Sequence, residues 1–424
     1  MAVTIEATIV GPAKERHSRK IVLIGAFFFI FGFISWINGT LIPYLQIACE
    51  LQEWQAFLVT FAFYISYTVM AFPSGKLLQR TGMVKGMSVG LMVMAAGCLV
   101  FIPAALTRLY PLFLVGLFFV GAGLTILQSA VNPYITLLGP AHSAARRISM
   151  MGICNKVAGI LAPLIIGSII LNNSAGLIEE LSRLGPAEKD LRLDELARAV
   201  IVPYIVLAVI LLLVAVAIRY AHLPDVRPAP ESLTNSGTTE TAPVRKQFVL
   251  GFAAIFCCVG AEVLAGDTIG NYGLYHGLDL DVAKSLTSYT LAGMMIGYVA
   301  GVLAIPKWIS QQNAFYYSSV LGLAMTLAIV LVPGRASIVC LAMSGLANAL
   351  LWPAIWPQAL RGLEGKLLNK GSAVLIMGIA GGALLPPIYG KLAEGVNNQY
   401  AYCILLPVYL YLLYYSRAGK KQID

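Results

Sequence analysis

The chain has 424 residues, of which 58% are hydrophobic and only 12% are charged, and its mean hydropathy is +0.80. Soluble domains carry about a quarter charged residues, so this composition excludes a soluble globular protein, and the apolar excess must face lipid. The net charge of +9 could suggest a nucleic-acid partner. The basic residues instead lie in short segments between apolar stretches, as in the cytoplasmic loops of membrane proteins, so we predict no nucleic-acid partner.

Twelve apolar segments are long enough to cross a bilayer, which requires roughly 20 residues per helix. Backbone polar groups cannot stay unsatisfied in lipid, so these segments must be helices. The sequence therefore predicts an all-α membrane protein with twelve transmembrane helices. We place these spans at 21–45, 54–73, 86–105, 110–139, 148–171, 198–219, 248–274, 285–305, 314–332, 337–360, 371–392 and 399–416.

The distribution of Lys and Arg predicts the orientation in the membrane. With a cytoplasmic N-terminus, 20 of the 29 Lys and Arg residues lie on the cytoplasmic side and 8 on the outer side, and only Lys156 lies within a span. Because cytoplasmic loops carry the excess of positive charge, we predict that both termini are cytoplasmic. The outer loop at 172–197 contains a charged stretch, 187–198, which we interpret as a solvated surface helix.

A polar segment rich in Pro and Ser, 221–247, separates spans six and seven and predicts a cytoplasmic linker. It divides the chain into an N-terminal six-helix bundle, 1–220, and a C-terminal one, 248–424. Two spacings recur in both parts, which favours two pseudo-symmetric bundles with a substrate site between them near the membrane midplane. The matching positions are Gly159, Pro163 and Gly167 with Gly382, Pro386 and Gly390, and Thr40 and Tyr44 with Thr268 and Tyr272.

Charged side chains within the bilayer are costly and usually functional. Span seven contains two acids, Glu262 and Asp267, and span five contains Lys156. We interpret Asp267 as the cation-coupling site, with Glu262 in support, because Asp267 has polar and small neighbours and a buried acid suits a group that gains and loses a proton. A structural partnership with a buried base is the alternative for either acid. Lys156 could pair with one of them, but we favour the interpretation that it extends towards the cytoplasmic boundary.

Amides and aromatic rings within the spans indicate a neutral, hydroxyl-rich ligand such as a sugar. Amides can form paired hydrogen bonds to neighbouring hydroxyls, and aromatic faces can cover the C–H surface of a sugar. The alternative is that these amides hold helices together, which for Asn348 is an equally good interpretation. The predicted substrate-binding residues are Trp36, Asn38, Gln128, Asn132, Asn155, Asn271, Asn348, Trp352 and Trp356.

The segment from Gly75 to Lys85 predicts a tight basic loop on the cytoplasmic side after span two. Its carbonyl and charged groups would connect neighbouring helix ends, and we do not expect it to contact substrate. We assign Gly75, Arg80 and Gly82 a role in gating. We find no motif for a cofactor, a metal site or a catalytic centre, so an enzyme is not predicted.

Several of these segments resemble known transporters. Residues 75–82 resemble the loop signature of the major facilitator superfamily, with Gln79 where the signature has Asp. The runs 36–43 in span one, 127–140 in span four and 377–383 in span eleven resemble the fucose–galactose–glucose:proton symporter family. The resemblance covers nearly the whole chain and implies the twelve-helix major facilitator fold, transport of a sugar with a cation, a bacterial-type inner membrane, and a monomer.

Two positions depart from the fucose carriers, which have acids where this chain has Gly39 and Gln128. At the second position, the chain resembles the glucose, galactose and N-acetylglucosamine carriers. The repeat between the halves has an offset of 228, which places Gly39 opposite Asp267. We therefore expect that the acid missing from span one has its counterpart in span seven.

The sequence thus predicts a secondary active monosaccharide:cation symporter for a hexose or N-acetylhexosamine, with protons favoured over sodium. Two alternatives stay open. The missing acids allow an uncoupled sugar facilitator. A membrane sugar sensor with a transporter fold is also conceivable, although such a sensor should carry a large soluble output domain, and the longest predicted cytoplasmic segment is the short linker.

Overall fold

A computed structural model describes residues 13–137, 144–171, 176–220, 242–305, 307–363, 371–372 and 374–420. Within these residues, eleven helices are long and apolar enough to cross a membrane. A twelfth helical segment follows at the C-terminus, so the predicted all-α, twelve-helix fold class is confirmed. Large apolar side chains such as Leu99, Phe119, Ile165 and Leu213 are exposed on the outside of the bundle, where lipid would cover them.

The first six spans form the N-terminal half, residues 13–220. Two short helices, Leu177–Arg183 and Pro186–Arg198, lie between spans five and six. The spans are Ala13–Trp36 with Asn38–Ala48, Glu53–Ala56 with Leu58–Thr81, Met83–Thr107, Tyr110–Leu137, Ala144–Ile170 and Ile201–Tyr220.

The last six spans form the C-terminal half, residues 242–420. A short helix, Leu280–Ala283, precedes span eight. The spans are Ala242–Asp267 with Ile269–Tyr275, Leu286–Ala304, Gln311–Leu331, Ala336–Asn348 with Leu351–Ala359, Val374–Gly395, and Asn398–Ala401 with Tyr402–Ile404 and Leu405–Lys420. Residues 221–241 lie outside the described part of the chain, so the division at the linker stays a prediction.

Spans one and seven are both interrupted in their last third. Span one breaks at Ile37 and span seven at Thr268, close to the positions that the predicted repeat relates. Span ten breaks between Asn348 and Leu351. Interrupted helices at the interface between repeats are typical of transporter substrate sites, because the break frees backbone groups and small movements there change the cavity.

The predicted loop after span two is mostly helical, which corrects the sequence interpretation. The helix continues through Gly75 to Thr81, and Gly82 alone separates spans two and three. Lys76 and Arg80 are good helix formers, so nothing ends the helix before Gly82. Gly82 has φ 81°, a left-handed conformation that glycine adopts without a steric penalty.

The charged outer helix is also less solvated than predicted. Leu193 and Ala197 of Pro186–Arg198 are buried, and the hydroxyl of Tyr44 in span one donates to the carbonyl of Ala197 at 3.1 Å. Arg108, between spans three and four, pairs with Asp194 at 3.1 Å. The apolar residues on this helix give it a packing face that the charge pattern obscured.

Candidate functional site

Trp36 lies at the centre of the interface between the two halves. Its side chain is only 4% exposed and packs against Leu291 of span eight. A Cβ on Gly159 of span five would lie 2.6 Å from Trp36 Cδ1, and a Cβ on Gly266 of span seven 2.4 Å from Cζ3. Because both halves contribute a glycine to the indole, the ring fits between them without room for larger side chains.

The Lys156 ammonium forms an ion pair with Glu262 across the interface. Lys156 Nζ lies 2.7 Å from Glu262 Oε1, and the two side chains are 7% and 15% exposed. The same ammonium lies 4.9 Å from the centre of the Trp36 ring and 5.9 Å from that of Tyr298. The interpretation that Lys156 extends towards the cytoplasmic boundary was therefore wrong, because a carboxylate and two aromatic faces surround its charge within the interface.

Asp267 is buried and has no partner. Its side chain is fully buried, and neither carboxyl oxygen receives a hydrogen bond among the described residues. Asp267 ends the first helix of span seven, immediately before the break at Thr268. An ionised carboxylate with no counter-ion and no donor bears the whole desolvation penalty, so this environment favours the neutral acid.

The position of the missing acid in span one is closely packed. A Cβ on Gly39 would lie 2.3 Å from Thr287 Oγ1 of span eight, and that hydroxyl donates to the carbonyl of Gly266 at 2.8 Å. In this conformation, glycine is the residue that lets span one approach span eight. The structure therefore gives a steric reason for the absence of an acid at Gly39.

Gln128 lies beside a pair of tyrosines on span two. Its side-chain amide donates to the Tyr67 hydroxyl at 3.2 Å, and Tyr67 stacks with Tyr64 at a centroid distance of 6.2 Å. Gln128 is thus bonded to a ring pair on the neighbouring span. The side chain of Asn132 lies outside the described part of the chain.

Asn155 and Asn38 contact the N-terminal half in this conformation. The amide of Asn155 donates to the carbonyl of Phe28 in span one at 3.4 Å. Asn38 is buried and lines a small cavity with Phe63, Cys98 and Tyr204, and its side-chain nitrogen has no partner among the described residues. These contacts hold helices together within one half.

Asn348, Trp352 and Trp356 lie in span ten. The Tyr409 hydroxyl of span twelve donates to Asn348 Oδ1 at 2.8 Å, while the Asn348 amide nitrogen has no partner in the described residues. The two tryptophan rings stack at 5.2 Å, and both are half-buried. This aromatic face remains partly accessible, as a platform for a sugar would require.

Hydrogen bonds connect the halves nearer the predicted outer side. Asn271 of span seven donates to Gln46 of span one at 2.5 Å. The Lys284 ammonium donates to the carbonyl of Leu171 at 2.9 Å, and Thr40 donates to the carbonyl of Lys284 at 3.2 Å. Asn271 therefore contributes to the closure of the interface in this conformation.

The outermost contact joins the beginning of span two to the end of span eleven. A Cβ on Gly390 would lie 2.6 Å from Phe57 Cδ2 and 2.8 Å from Trp54 Cα. Asn398 donates to the Glu53 carboxylate, and the Trp54 amide donates to Glu394 at 3.5 Å. We call residues 53–57 together with 390–398 the outer contact.

The residues predicted for gating lie apart from these contacts. Gly75 is within the helix of span two, Arg80 is exposed, and Gly82 forms the turn to span three. The sequence analysis missed Tyr64, Tyr67 and Tyr298 around the acids. The spacing of Tyr64 and Tyr67, about one turn apart in span two, was the signal available for two of them. No group of His, Cys, Asp and Glu able to hold a metal ion occurs among the described residues.

Comparison with known proteins gives consistent matches. A family model described as Major Facilitator Superfamily matches residues 22–387. A glucose/galactose transporter of Brucella abortus is 32% identical over 412 residues, which cover 96% of this chain and 96% of that protein. An L-fucose-proton symporter of Escherichia coli is 27% identical and covers 89% of this chain and 87% of that protein.

The solved structures agree with the sequence matches. A crystal structure of the Major Facilitator Superfamily transporter FucP in the outward conformation is similar to this chain, with a TM-score of 0.71 and 25% identity, covering 96% of this chain and 99% of that one. These proteins are transporters, which confirms the prediction of a membrane transporter rather than an enzyme.

Proposed function

The chain belongs to the Major Facilitator Superfamily, and from that premise we propose that it is a monosaccharide:cation symporter that works by alternating access. The substrate is a hexose or an N-acetylhexosamine, and the cation is a proton in preference to sodium. The observation that carries the proposal is the interface site, where a fully buried Asp267, which has no hydrogen-bond partner among the described residues, lies five residues from a Glu262 that pairs with Lys156.

The chemistry of the interface supports a neutral sugar. The side chains in and around it are rings and amides, with Trp36 at the centre and Gln128 beside Tyr67. A charged substrate would need a dedicated counter-charge, whereas the single base here is already paired with an acid. The names of the similar Brucella and Escherichia proteins, a glucose/galactose transporter and an L-fucose-proton symporter, support the same substrate class.

Proton coupling is supported by the two acids of span seven. Asp267 lies five residues closer to the predicted outer end than Glu262. Asp267 acts as the coupling site that exchanges protons with the outside, and Glu262 supports it as the inner station. A carboxyl that is neutral when buried and ionised when wetted can load a proton on one side of the membrane and release it on the other.

Alternating access is supported by the position of the contacts between halves. Three sets of contacts join the halves on the predicted outer side. They are Asn271 with Gln46, Lys284 with Leu171, and the outer contact. We infer that this conformation is closed to the outside. Both termini are cytoplasmic, the protein acts as a monomer, and its location is a bacterial-type inner membrane.

Uptake into proteoliposomes tests the proposal. Labelled glucose, galactose, mannose, fucose and N-acetylglucosamine are each supplied with no gradient, a proton gradient or a sodium gradient. We expect one or two of these sugars to accumulate above equilibrium under the proton gradient only. Accumulation under the sodium gradient alone would identify sodium as the coupled cation in place of the proton. Failure to transport any of these sugars would overturn the proposed substrate class.

An uncoupled facilitator is the second candidate, and one observation favours it. The chain has Gly39 and Gln128 at the two positions where the related fucose carriers have acids, and Gly39 is packed too tightly for a larger residue in this conformation. Equilibration without accumulation under every gradient would establish the facilitator and make the acids of span seven structural.

A further inference from the structure

Lys156 has no role in the coupling described so far, yet it is the base that both halves enclose. We propose that Lys156 is a positioning residue that controls the proton on Glu262: the ion pair forms when the interface closes in this conformation, and it opens when the halves separate. The inference rests on the proposed symport and adds the group that forces the proton to leave.

The geometry makes this ion pair a contact between two moving bodies. Lys156 belongs to span five of the N-terminal half and Glu262 to span seven of the C-terminal half. Their charged atoms are 2.7 Å apart, and both side chains are largely buried. Rocking of one half against the other can lengthen this distance, because the two residues are anchored in different bundles.

The groups that face Glu262 are otherwise neutral or acidic. Apart from Lys156, the titratable groups with which Glu262 interacts are Asp267 and Cys258 on its own span, Tyr64 of span two, Tyr298 of span eight and Tyr409 of span twelve. Lys156 is therefore the only cation among the described groups that interact with this carboxylate. An ionised Glu262 that lost it would be a buried charge without compensation, which is strongly unfavourable.

Separation of the halves is thus tied to protonation. When the pair opens, Glu262 takes up a proton, which reaches it from the outside through Asp267, and the carboxylate becomes a neutral acid. Lys156 remains an ammonium against the faces of Trp36 and Tyr298. When the halves close again on the outer side, the ammonium displaces the proton from Glu262 to the inner water. Asp267 and Glu262 together then hold one proton in this conformation and two protons when the ion pair is open.

Glycines allow the ammonium to reach the carboxylate. Gly159 lies one turn from Lys156, and Gly266 one turn from Glu262, and both glycines contact the Trp36 ring. The indole therefore lies beside the pair and limits the access of water from one side.

Neutralising variants distinguish this role from a purely structural one. Lys156→Gln leaves Glu262 without its cation, so Glu262 keeps its proton throughout the cycle. We expect accumulation of sugar under a proton gradient to fall by at least about tenfold, while exchange of internal for external sugar persists at a reduced rate. Glu262→Gln has the same two effects, because it cannot release a proton.

The double variant Lys156→Gln with Glu262→Gln gives the decisive comparison. It removes both charges and leaves no unpaired ion, so exchange recovers while accumulation stays lost. If the pair only held the halves together, the double variant would regain accumulation through Asp267, and the inference would be overturned. A wild-type protein that carries no sugar at all would instead defeat the proposed function itself.

Lys156→Arg keeps the test usable if the neutral variants fold poorly. A guanidinium remains charged and can bind both carboxylate oxygens, so it preserves the ion pair. We expect accumulation under a proton gradient to persist in Lys156→Arg, and a loss as large as that of Lys156→Gln would contradict the inference. Lys284→Gln is the matched control, since Lys284 donates to a carbonyl across the interface and pairs with Asp281 of its own half, so its loss should leave accumulation coupled to the proton gradient.

Discussion

The centre and the outer end of the interface between the halves are built from different chemistry. At the outer end, Gly390 lets span eleven approach Trp54 and Phe57, Asn271 donates to Gln46, and Asn398 donates to the Glu53 carboxylate. At the centre, Lys156 and Glu262 form a buried ion pair beside Asp267. A hydrogen bond from an amide can open without leaving an unpaired buried cation, whereas separating a buried ion pair leaves two charges without compensation.

The outer end and the centre of the interface have different functions in the proposed symport. The outer contact decides which side of the membrane the cavity faces, through close packing and hydrogen bonds to carbonyls. In the proposed symport, the central site decides whether that change is permitted with or without a proton. Changes at the outer contact should therefore alter the rate and the balance of conformations, and changes at the centre should alter the coupling itself.

Asp267→Asn should have the largest effect on coupling. It removes the acid that exchanges protons with the outside while keeping the size of the side chain, so accumulation under a proton gradient should fall to the equilibrium level. The measurement is the ratio of internal to external sugar at steady state. Accumulation at the wild-type level would show that Asp267 is not the coupling site.

Gly390→Leu should disrupt closure on the outer side. Its Cβ would lie within 2.8 Å of the Trp54 backbone, and overpacking of this kind costs about 1–3 kcal/mol. We therefore expect the outward-open population to increase by roughly tenfold or more and net uptake to slow, with any residual uptake still coupled. Labelling of a cysteine introduced in the outer contact measures the opening.

Gly395→Leu is the matched control for Gly390→Leu. Gly395 lies on the same helix, but a Cβ there would meet nothing within 4 Å. This variant should keep wild-type labelling and uptake. Equal effects of the two substitutions would mean that the close packing at Gly390 does not control the opening.

Gln128→Ala should affect sugar recognition more than coupling. The substitution removes the amide that donates to the Tyr67 hydroxyl. This amide lies near the partly accessible face of span four. A lost hydrogen bond to a substrate hydroxyl weakens binding by about 1 kcal/mol, or roughly fivefold. We expect a higher KM with the ratio of accumulation largely retained. An unchanged KM for every transported sugar would remove Gln128 from the substrate site.

Much of this organisation could be predicted from the sequence because the bilayer imposes it. The twelve spans follow from apolar length, and the interface location of Trp36, Glu262 and Asp267 follows from the rarity of such residues in spans. The partner of Lys156 could not be predicted, because two acids lie on the facing helix and distance along the chain does not decide between them. The close packing at Gly39 and Gly390 depends on how the two halves meet, which no local pattern encodes.

The charged cluster around the outer helix should give the smallest effect. A hydrogen bond from Lys189 at 2.6 Å, with Arg108 nearby, lowers the pKa of the Glu50 carboxyl. Glu50 therefore contributes stability above its ordinary pKa of about 4.3, and this contribution is lost as the pH falls through the lowered pKa. Glu50→Gln should reduce the thermal stability in detergent by less than about 1 kcal/mol at neutral pH.

The pH dependence provides the check on that assignment. The difference in Tm between Glu50→Gln and the wild type should shrink as the pH falls below about 4.3, because the wild-type carboxyl is then protonated as well. Glu188 is an exposed acid on the outer helix that carries Lys189. Glu188→Gln should change neither Tm nor its pH dependence. If the difference in Tm for Glu50→Gln persisted at acid pH, the ion pairs of Glu50 would not be its cause.

The most direct test of proton coupling at the central site is a measurement of protons driven by sugar. Proteoliposomes with an internal pH dye receive a transported sugar outside, with no gradient of protons or sodium. The account predicts that the interior acidifies as sugar enters through the wild-type protein, and that Asp267→Asn and Lys156→Gln abolish this acidification. Sugar entry through the wild-type protein without any change in internal pH would contradict it.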